Sequence, residues 1–257
     1  MTKLIAVISP AKLLDDKTHY PQITCSSPVF LKEAEELVLK LQKQTPAQLS
    51  KMMDISAALS QTAREQFQHF QTPFTHQNAH PALLMFKGEV YRGLAAEHFN
   101  QTQLNFANDH LRILSGLYGV LKPLDFVMPY RLMMGTSFQP KTGIKNLYEF
   151  WSEKVTEELD QTIDKKGVLV NLASGEYFRV INTKKLERTC IHVEFMEKKG
   201  TDFKVVSTYA KLARGKMARF LIEHKISNVK NLMAFDVDGY TYNKNYSSVD
   251  HYVFTRG

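Results

Sequence analysis

Three apolar stretches of this 257-residue chain run into serine-bearing turns with charge close by. The first ends in Ser9-Pro10-Ala11-Lys12, the second in Ser115-Gly116-Leu117-Tyr118-Gly119, the third in Asn171-Leu172-Ala173-Ser174-Gly175-Glu176-Tyr177. In α/β structures ligands collect beyond the carboxyl ends of strands. A serine that opens a helix caps it, and free backbone N–H groups there hold anions. If the three strands are neighbours, Ser9, Lys12, Ser115, Ser174 and Glu176 line one cleft. Glu176 is then the acid–base candidate, and nearby cations hold phosphate. Plain turn chemistry is the competing account, because serine and glycine are common at strand ends.

Further charges sit in apolar company. Lys87 and Arg92 lie between Phe86 and Leu94 with glycines at 88 and 93, and Arg131 interrupts the apolar stretch 126–135. A cation in such a setting snorkels, pairs or faces a ligand. For Arg131 an ion pair with Asp125 or Glu149 is the simple alternative. Tyr91, Tyr118 and Tyr177 fall near the same segments and can stack an unpaired base. They serve equally well as core tyrosines with bonded hydroxyls.

The positive charge is concentrated. The chain has 33 Lys+Arg against 26 Asp+Glu, and residues 198–230 hold nine of those cations against only Asp202 and Glu223. The rest of the chain is balanced, so one basic segment is aimed at a polyanion or a phosphate-bearing ligand, or else is a solvated helix face.

The elements that must position these residues are of both kinds. Residues 3–8, 82–86, 112–115 and 168–172 read as strands, and 190–195 and 203–207 as a hairpin across the polar turn 198–202. Residues 30–44 repeat apolar side chains at helical spacing, and 146–160 reads as a helix. Thr45-Pro46 caps a helix reaching about Met53, followed by another from Ala57 to about Phe70. Residues 209–224 form an amphipathic helix with Tyr209, Ala213, Met217 and Phe220 inward, and Lys211, Arg214 and Arg219 away from that face. The pattern predicts a mixed α/β (α+β) fold in a single domain, 1–257.

Residues 46–70 also resemble a helix-hairpin-helix, which grips the DNA backbone through N–H groups at its turn. Ile55 is the buried hairpin residue, with Lys51 and Ser56 placed to meet phosphate. Asp54 and Ser56 stand where usual versions carry glycine.

Composition excludes several classes. At 44% hydrophobic residues the chain is no disordered segment. The apolar run 4–8 is too short for a signal-peptide core or membrane span. Cys25 and Cys190 form neither a disulfide framework nor a zinc pattern. A soluble cytoplasmic protein is expected. No P-loop or dinucleotide fingerprint is present and no cofactor is expected. His76 and His80 are four apart but lie in a loop-like stretch before Pro81, with no Glu-x-x-His pair, so no metal is expected either.

Seven segments occur in order: ISPAK at 8–12, FKGEVYRGL at 86–94, LRILSGLYGVLKPLD at 111–125, PYR at 129–131, LYEFW at 147–151, VNLASGEYF at 170–178 and YAKLARGKMARF at 209–220. Together they resemble the YaaA family of bacterial peroxide-stress proteins across almost the whole chain. The resemblance implies the cantaloupe fold, with a basic cleft and a helix-hairpin-helix element. It also implies induction by hydrogen peroxide, a link to low intracellular iron and limited oxidative DNA damage, and an association like that of recombinational repair proteins. DNA binding is the activity it implies, with no settled catalytic reaction. Carried to this chain, the hairpin is 53–56 and the cleft draws on Lys12, Lys87, Arg131, Lys211, Arg214 and Lys216. Duplex or branched DNA bound without base readout is then the leading expectation. The rivals are an enzyme acting on a nucleotide, flipped base or phosphorylated small molecule, and a scaffold for repair proteins.

Overall fold

The computed structural model describes residues 3–17 and 23–257. In chain order the strands and helices are β1 (Leu4–Ile8), β2 (Leu13–Leu14), α1 (Leu31–Leu41), α2 (Pro46–Met53), α3 (Ala57–His69), β3 (His80–Pro81), α4 (Ala82–Met85), β4 (Phe86–Lys87), α5 (Glu89–Leu94), α6 (Gln101–His110), β5 (Leu111–Ser115), β6 (Gly119–Leu121), β7 (Phe126–Val127), α7 (Leu147–Thr162), β8 (Val168–Asn171), α8 (Gly175–Phe178), β9 (Thr189–Lys199), β10 (Asp202–Lys204), α9 (Ser207–Glu223), β11 (Thr241–Tyr242) and β12 (His251–Arg256).

One sheet organises them, in the order β11-β12-β9-β8-β1-β5-β6, with β10 folded back on β9. The five central strands, β12, β9, β8, β1 and β5, are parallel, so their carboxyl ends share one edge. β6 and β11 run antiparallel at the two outer positions. Every residue of β1 and of β5 is buried, as expected of parallel strands covered on both faces; β1 is a continuous apolar run, and β5 carries Arg112 and Ser115 among its apolar residues. The chain first lays β5 on one side of β1, then returns to place β8, β9 and β12 on the other. The boundary between β1 and β8 is therefore the topological switch point, where open parallel sheets leave a crevice.

Helix boundaries follow local chemistry. Thr45 and Gln48 close a capping box at the start of α2, with N–H···O distances of 2.8 and 3.3 Å, and Pro46 fills the first turn. Asn146 caps α7 by accepting the Glu149 N–H at 3.0 Å. Trp151 of α7 is buried and donates its indole N–H to the Gly116 carbonyl at 2.9 Å.

Two expectations need correction. Residues 82–86 do not form a strand. α4 is a buried helical turn flanked by two short extended pieces, β3 against β7 and β4 against β2. A fully buried apolar run carries no periodicity to tell the two apart. In α9 the inward stripe is Ala210, Ala213, Gly215, Met217, Ala218, Leu221 and Ile222, whereas Tyr209 is exposed. Arg219 is half-buried rather than free in solvent. It donates to the Leu94 and Ala95 carbonyls at 3.2 and 3.1 Å and lies 5.4 Å from the Phe99 ring centroid.

Candidate functional site

At the switch point the ends of β1 and β8 are tied by their serines. The Ser174 N–H donates to Ser9 Oγ at 2.9 Å, and the Ser9 hydroxyl donates to Ser174 Oγ at 3.2 Å. Tyr91, from α5, donates its hydroxyl to the Ser9 carbonyl at 3.1 Å. Above these contacts opens a cavity of about 310 Å³. Its wall comes from the β1 turn (Ser9 to Leu13), the 87–91 turn, Met133, the β8 turn (Leu172, Ser174, Glu176, Tyr177) and α9 (Lys211, Arg214).

α9 reaches the cavity because it crosses α5 at very short range. A Cβ on Gly215 would stand 1.9 Å from the Val90 carbonyl oxygen, and one on Gly93 would stand 2.3 Å from that of Leu212. Two residues before Gly93, Tyr91 reaches the floor, and one residue before Gly215, Arg214 enters the wall. Gly88, with φ +134°, turns the chain sharply between Lys87 and Glu89.

The cations of the wall are not equivalent. Lys87 lies 3.6 Å from Asp15. Lys12 and Lys211 have no carboxylate within 4 Å among the described residues. Arg214 is half-buried with its Nε–H covered and unpartnered. Burial lowers its pKa from the ordinary value, and the charge of Glu194 partly offsets that. A guanidinium withdrawn from water without a carboxylate or carbonyl on its Nε lacks the partner such groups normally have.

Two carboxylates face the same space. Glu176 is exposed. Its Oε1 accepts the Gly135 N–H at 3.2 Å, and its carbonyl accepts the Tyr148 hydroxyl at 3.0 Å. Glu89, which sequence reasoning did not single out, lies 2.6 Å from Arg92 with Oε2 covered. The signal that could have found it is its place directly after a glycine in a charged turn that follows an apolar run. Burial raises the pKa of Tyr91 and Tyr177 well above the ordinary phenol value.

The structure thus brings Ser9, Lys12, Lys87, Tyr91, Ser174, Glu176, Tyr177, Lys211 and Arg214 to one cavity. Others lie elsewhere. Ser115 is fully buried beneath the floor, 2.7 Å from the Tyr130 hydroxyl, and accepts the Leu117 and Tyr118 N–H groups. Tyr118 is also fully buried, its hydroxyl accepting the Met128 N–H at 3.3 Å. Both belong to the core because β5 ends in a tight turn under the 126–135 segment rather than opening outward. Lys216 is held by Asp238 outside the cavity wall. Arg131 borders a small adjoining hollow of about 10 Å³ that shares Lys12, Met133 and Tyr177 with the main cavity. It pairs with neither Asp125 nor Glu149. Its Nη1 lies 3.5 Å from the Lys12 carbonyl, and its Nε is covered and unpartnered.

Lys51, Ile55 and Ser56 sit on the α2–α3 hairpin and do not line the cavity. Ile55 is half-buried against the core, Lys51 and Ser56 are exposed, and Asp54 turns the chain at φ +52°. The Asp54 and Ile55 amides both donate to the Ser50 carbonyl, and Ser56 Oγ caps α3 by accepting the Leu59 N–H at 3.3 Å.

A mixed α/β protein with a cation-lined crevice at the switch point of its sheet is the class these features define. Residues 4–246 match the family model described as peroxide stress protein YaaA, and the chain belongs to that family. It is 42% identical to a UPF0246 protein of Aliivibrio fischeri (strain MJ11) over 255 residues, 98% of each chain. It is 44% identical to a UPF0246 protein of Saccharophagus degradans over 255 residues, 98% of this chain and 99% of that one. Among the described residues no helix is long and apolar enough to cross a membrane.

Proposed function

We propose that this protein binds DNA in the peroxide response, seating backbone phosphates at the cavity mouth on Lys12, Lys87, Lys211 and Arg214, with Arg131 extending the rim. Arg214 carries the reading: it is a half-buried guanidinium in the cavity wall with no carboxylate within 4 Å among the described residues, a charge that an anion in the cavity compensates. Backbone contacts of this kind are tolerant of sequence and release counterions, so affinity falls steeply with salt. The α2–α3 hairpin takes the lesser part, through Lys51 and Ser56, because its turn amides are engaged and Asp54 repels phosphate. Bound protein shields DNA from iron and peroxide, which accounts for an iron link without a metal site. Recombinational repair proteins are the partners this reading places beside it on DNA.

A second reading has its own observation. Glu89 and Glu176 face the same cavity as the cations, an arrangement suited to acid–base chemistry on a bound nucleotide or other phosphorylated ligand. Fluorescence anisotropy of a labelled duplex across a salt series, with wild type beside Lys211→Ala/Arg214→Ala, tests the first. Salt-sensitive binding that weakens at least tenfold in the folded variant supports it, and unchanged binding sinks it. Glu176→Gln separates the two readings: a binder keeps DNA affinity and protection, whereas an enzyme keeps affinity and loses protection.

A further inference from the structure

We infer that the cavity takes one nucleotide unit bearing a terminal phosphate monoester, supplied either as a free mononucleotide or as the phosphorylated end of a DNA strand. This deepens the DNA-binding reading and rests on the cleft being a phosphate site.

Size is the first argument. About 310 Å³ falls at the small end of ligand pockets, which run from roughly 300 to 1,000 Å³. A duplex presents its phosphates on a convex surface beside a major groove about 12 Å wide. It can touch the rim of this cavity but cannot occupy it, whereas a single nucleotide can.

The wall is also divided by chemistry. Lys12, Lys211 and Arg214 supply charge, while Tyr91, Tyr177, Val90, Leu172 and Met133 supply apolar surface. The Tyr91 hydroxyl is already engaged, donating to the Ser9 carbonyl, and the Tyr177 oxygen accepts from the Met134 backbone. An apolar wall facing cations suits a base or sugar joined to a phosphate, and inorganic phosphate alone would leave that wall unused.

Charge distinguishes the monoester from an internal diester. Lys87 stands near Asp15, and Glu89 is matched by Arg92. Lys12, Lys211 and Arg214 have no carboxylate within 4 Å, and Glu176 is the one lining carboxylate without a salt bridge among the described residues. The excess is close to the charge of about −1.5 to −2 on a phosphomonoester, and a diester would leave half of it uncompensated. The phosphate goes to Arg214, which lines the cavity and whose planar guanidinium suits phosphate oxygens better than a lysine ammonium does. Arg131, whose Nε is also covered and unpartnered, borders a hollow of only about 10 Å³, room for about one water.

The test is calorimetric titration of the full chain with deoxyadenosine 5′-monophosphate, deoxyadenosine and inorganic phosphate. Alongside it runs anisotropy on one blunt duplex carrying either a 5′-phosphate or a 5′-hydroxyl. The expected result is that the mononucleotide binds at least tenfold tighter than either fragment, and that Arg214→Gln loses this preference. Lys211→Ala, on an exposed side chain, serves as a second variant should Arg214→Gln misfold; it also weakens mononucleotide binding severalfold. A tenfold preference for the phosphorylated duplex, displaced by mononucleotide, assigns DNA ends as a source; mononucleotide binding without that preference assigns the free ligand. Duplex binding with no mononucleotide binding and no end preference overturns this inference and leaves the DNA-binding reading standing. Failure of every probe overturns both.

Discussion

Gly93 and Gly215 lie face to face where α5 crosses α9, and a Cβ on Gly93 would come within 3.2 Å of the Gly215 Cα. This contact sets the distance between Tyr91 on the cavity floor and Arg214 in its wall. An alanine at 215 must displace backbone, since its Cβ would stand 1.9 Å from the Val90 carbonyl oxygen. Overpacking of this kind costs about 1–3 kcal/mol and exceeds the gain of up to about 1 kcal/mol in helix propensity. Gly215→Ala is therefore expected to lower Tm by several degrees and to weaken ligand binding. Gly175→Ala, where an added Cβ meets nothing within 4 Å, is expected to leave Tm within about 2 °C. Thermal unfolding of the two variants side by side checks this.

Arg214 is expected to separate stability from function. Its covered Nε lacks a partner, a deficit of about 1–3 kcal/mol for a buried donor. Arg214→Gln removes that deficit at the cost of some stem packing. Urea unfolding is expected to show stability unchanged or raised by up to about 1 kcal/mol, while DNA affinity falls tenfold or more. A loss above roughly 1.5 kcal/mol would make Arg214 a structural residue instead.

Lys211 and Lys216 lie on the same helix but in different circumstances. Among the described residues Lys211 has no acidic neighbour within 4 Å, and Lys216 is held by Asp238. Lys211→Ala is expected to reduce the slope of log affinity against log salt by about one. Lys216→Ala is expected to leave the slope unchanged and to cost at most about 1 kcal/mol of stability. A Lys211→Ala slope equal to that of the wild type would remove Lys211 from the DNA surface.

Much of this arrangement was legible in the residues. The serine turns after residues 8 and 171 pointed to one cleft because parallel strands share an edge for their carboxyl ends, and β1 and β8 proved adjacent. Ser115 followed the same local rule and still went inside, because what covers a strand end depends on tertiary packing by residues 126–135, which spacing does not encode. The basic segment 198–230 was visible as charge, but its division was not. Asp238, which engages Lys216, is brought there only by the fold, whereas Glu223 meets Arg219 one helical turn on along α9. The helical pattern of α9 gave the element and part of its inward face, Ala213 and Met217, but not Ala210, Gly215 and Ala218, small residues with little hydrophobic signal.

The two cysteines are expected to be poor peroxide sensors. Burial, with a nearby carboxylate, pushes Cys25 up to about 11 and Cys190 up to about 12. At pH 7 the thiolate fraction is then on the order of one in 10⁴ or less, and the thiolate is the reactive form. Native protein is expected to react with a disulfide reagent at least a hundredfold more slowly than protein in urea. A fast native phase, mapped to either residue, would place a redox role there.

Asp125 is expected to make stability fall as pH rises through the weakly acidic range. Its carboxylate is buried, accepting the Ser26 hydroxyl at 2.6 Å and the Lys122 N–H at 2.8 Å. Burial dominates these bonds and the nearby Lys122 and Arg112 charges, and pushes the pKa up to about 6. The unfolded chain titrates near 3.9, so between roughly pH 4 and 6 the folded state holds the extra proton. The protonated carboxyl favours the folded state below that window. The advantage disappears as pH passes 6, a change of about 3 kcal/mol for a shift of this size. Urea unfolding of wild type and Asp125→Asn from pH 4 to 7.5 reads the effect as a difference, which cancels the other titrating groups. The wild type is expected to lose stability relative to the variant across pH 4–6.5 and to run parallel to it above. Parallel curves throughout would mean that Asp125 is ionised in the folded protein with an ordinary pKa.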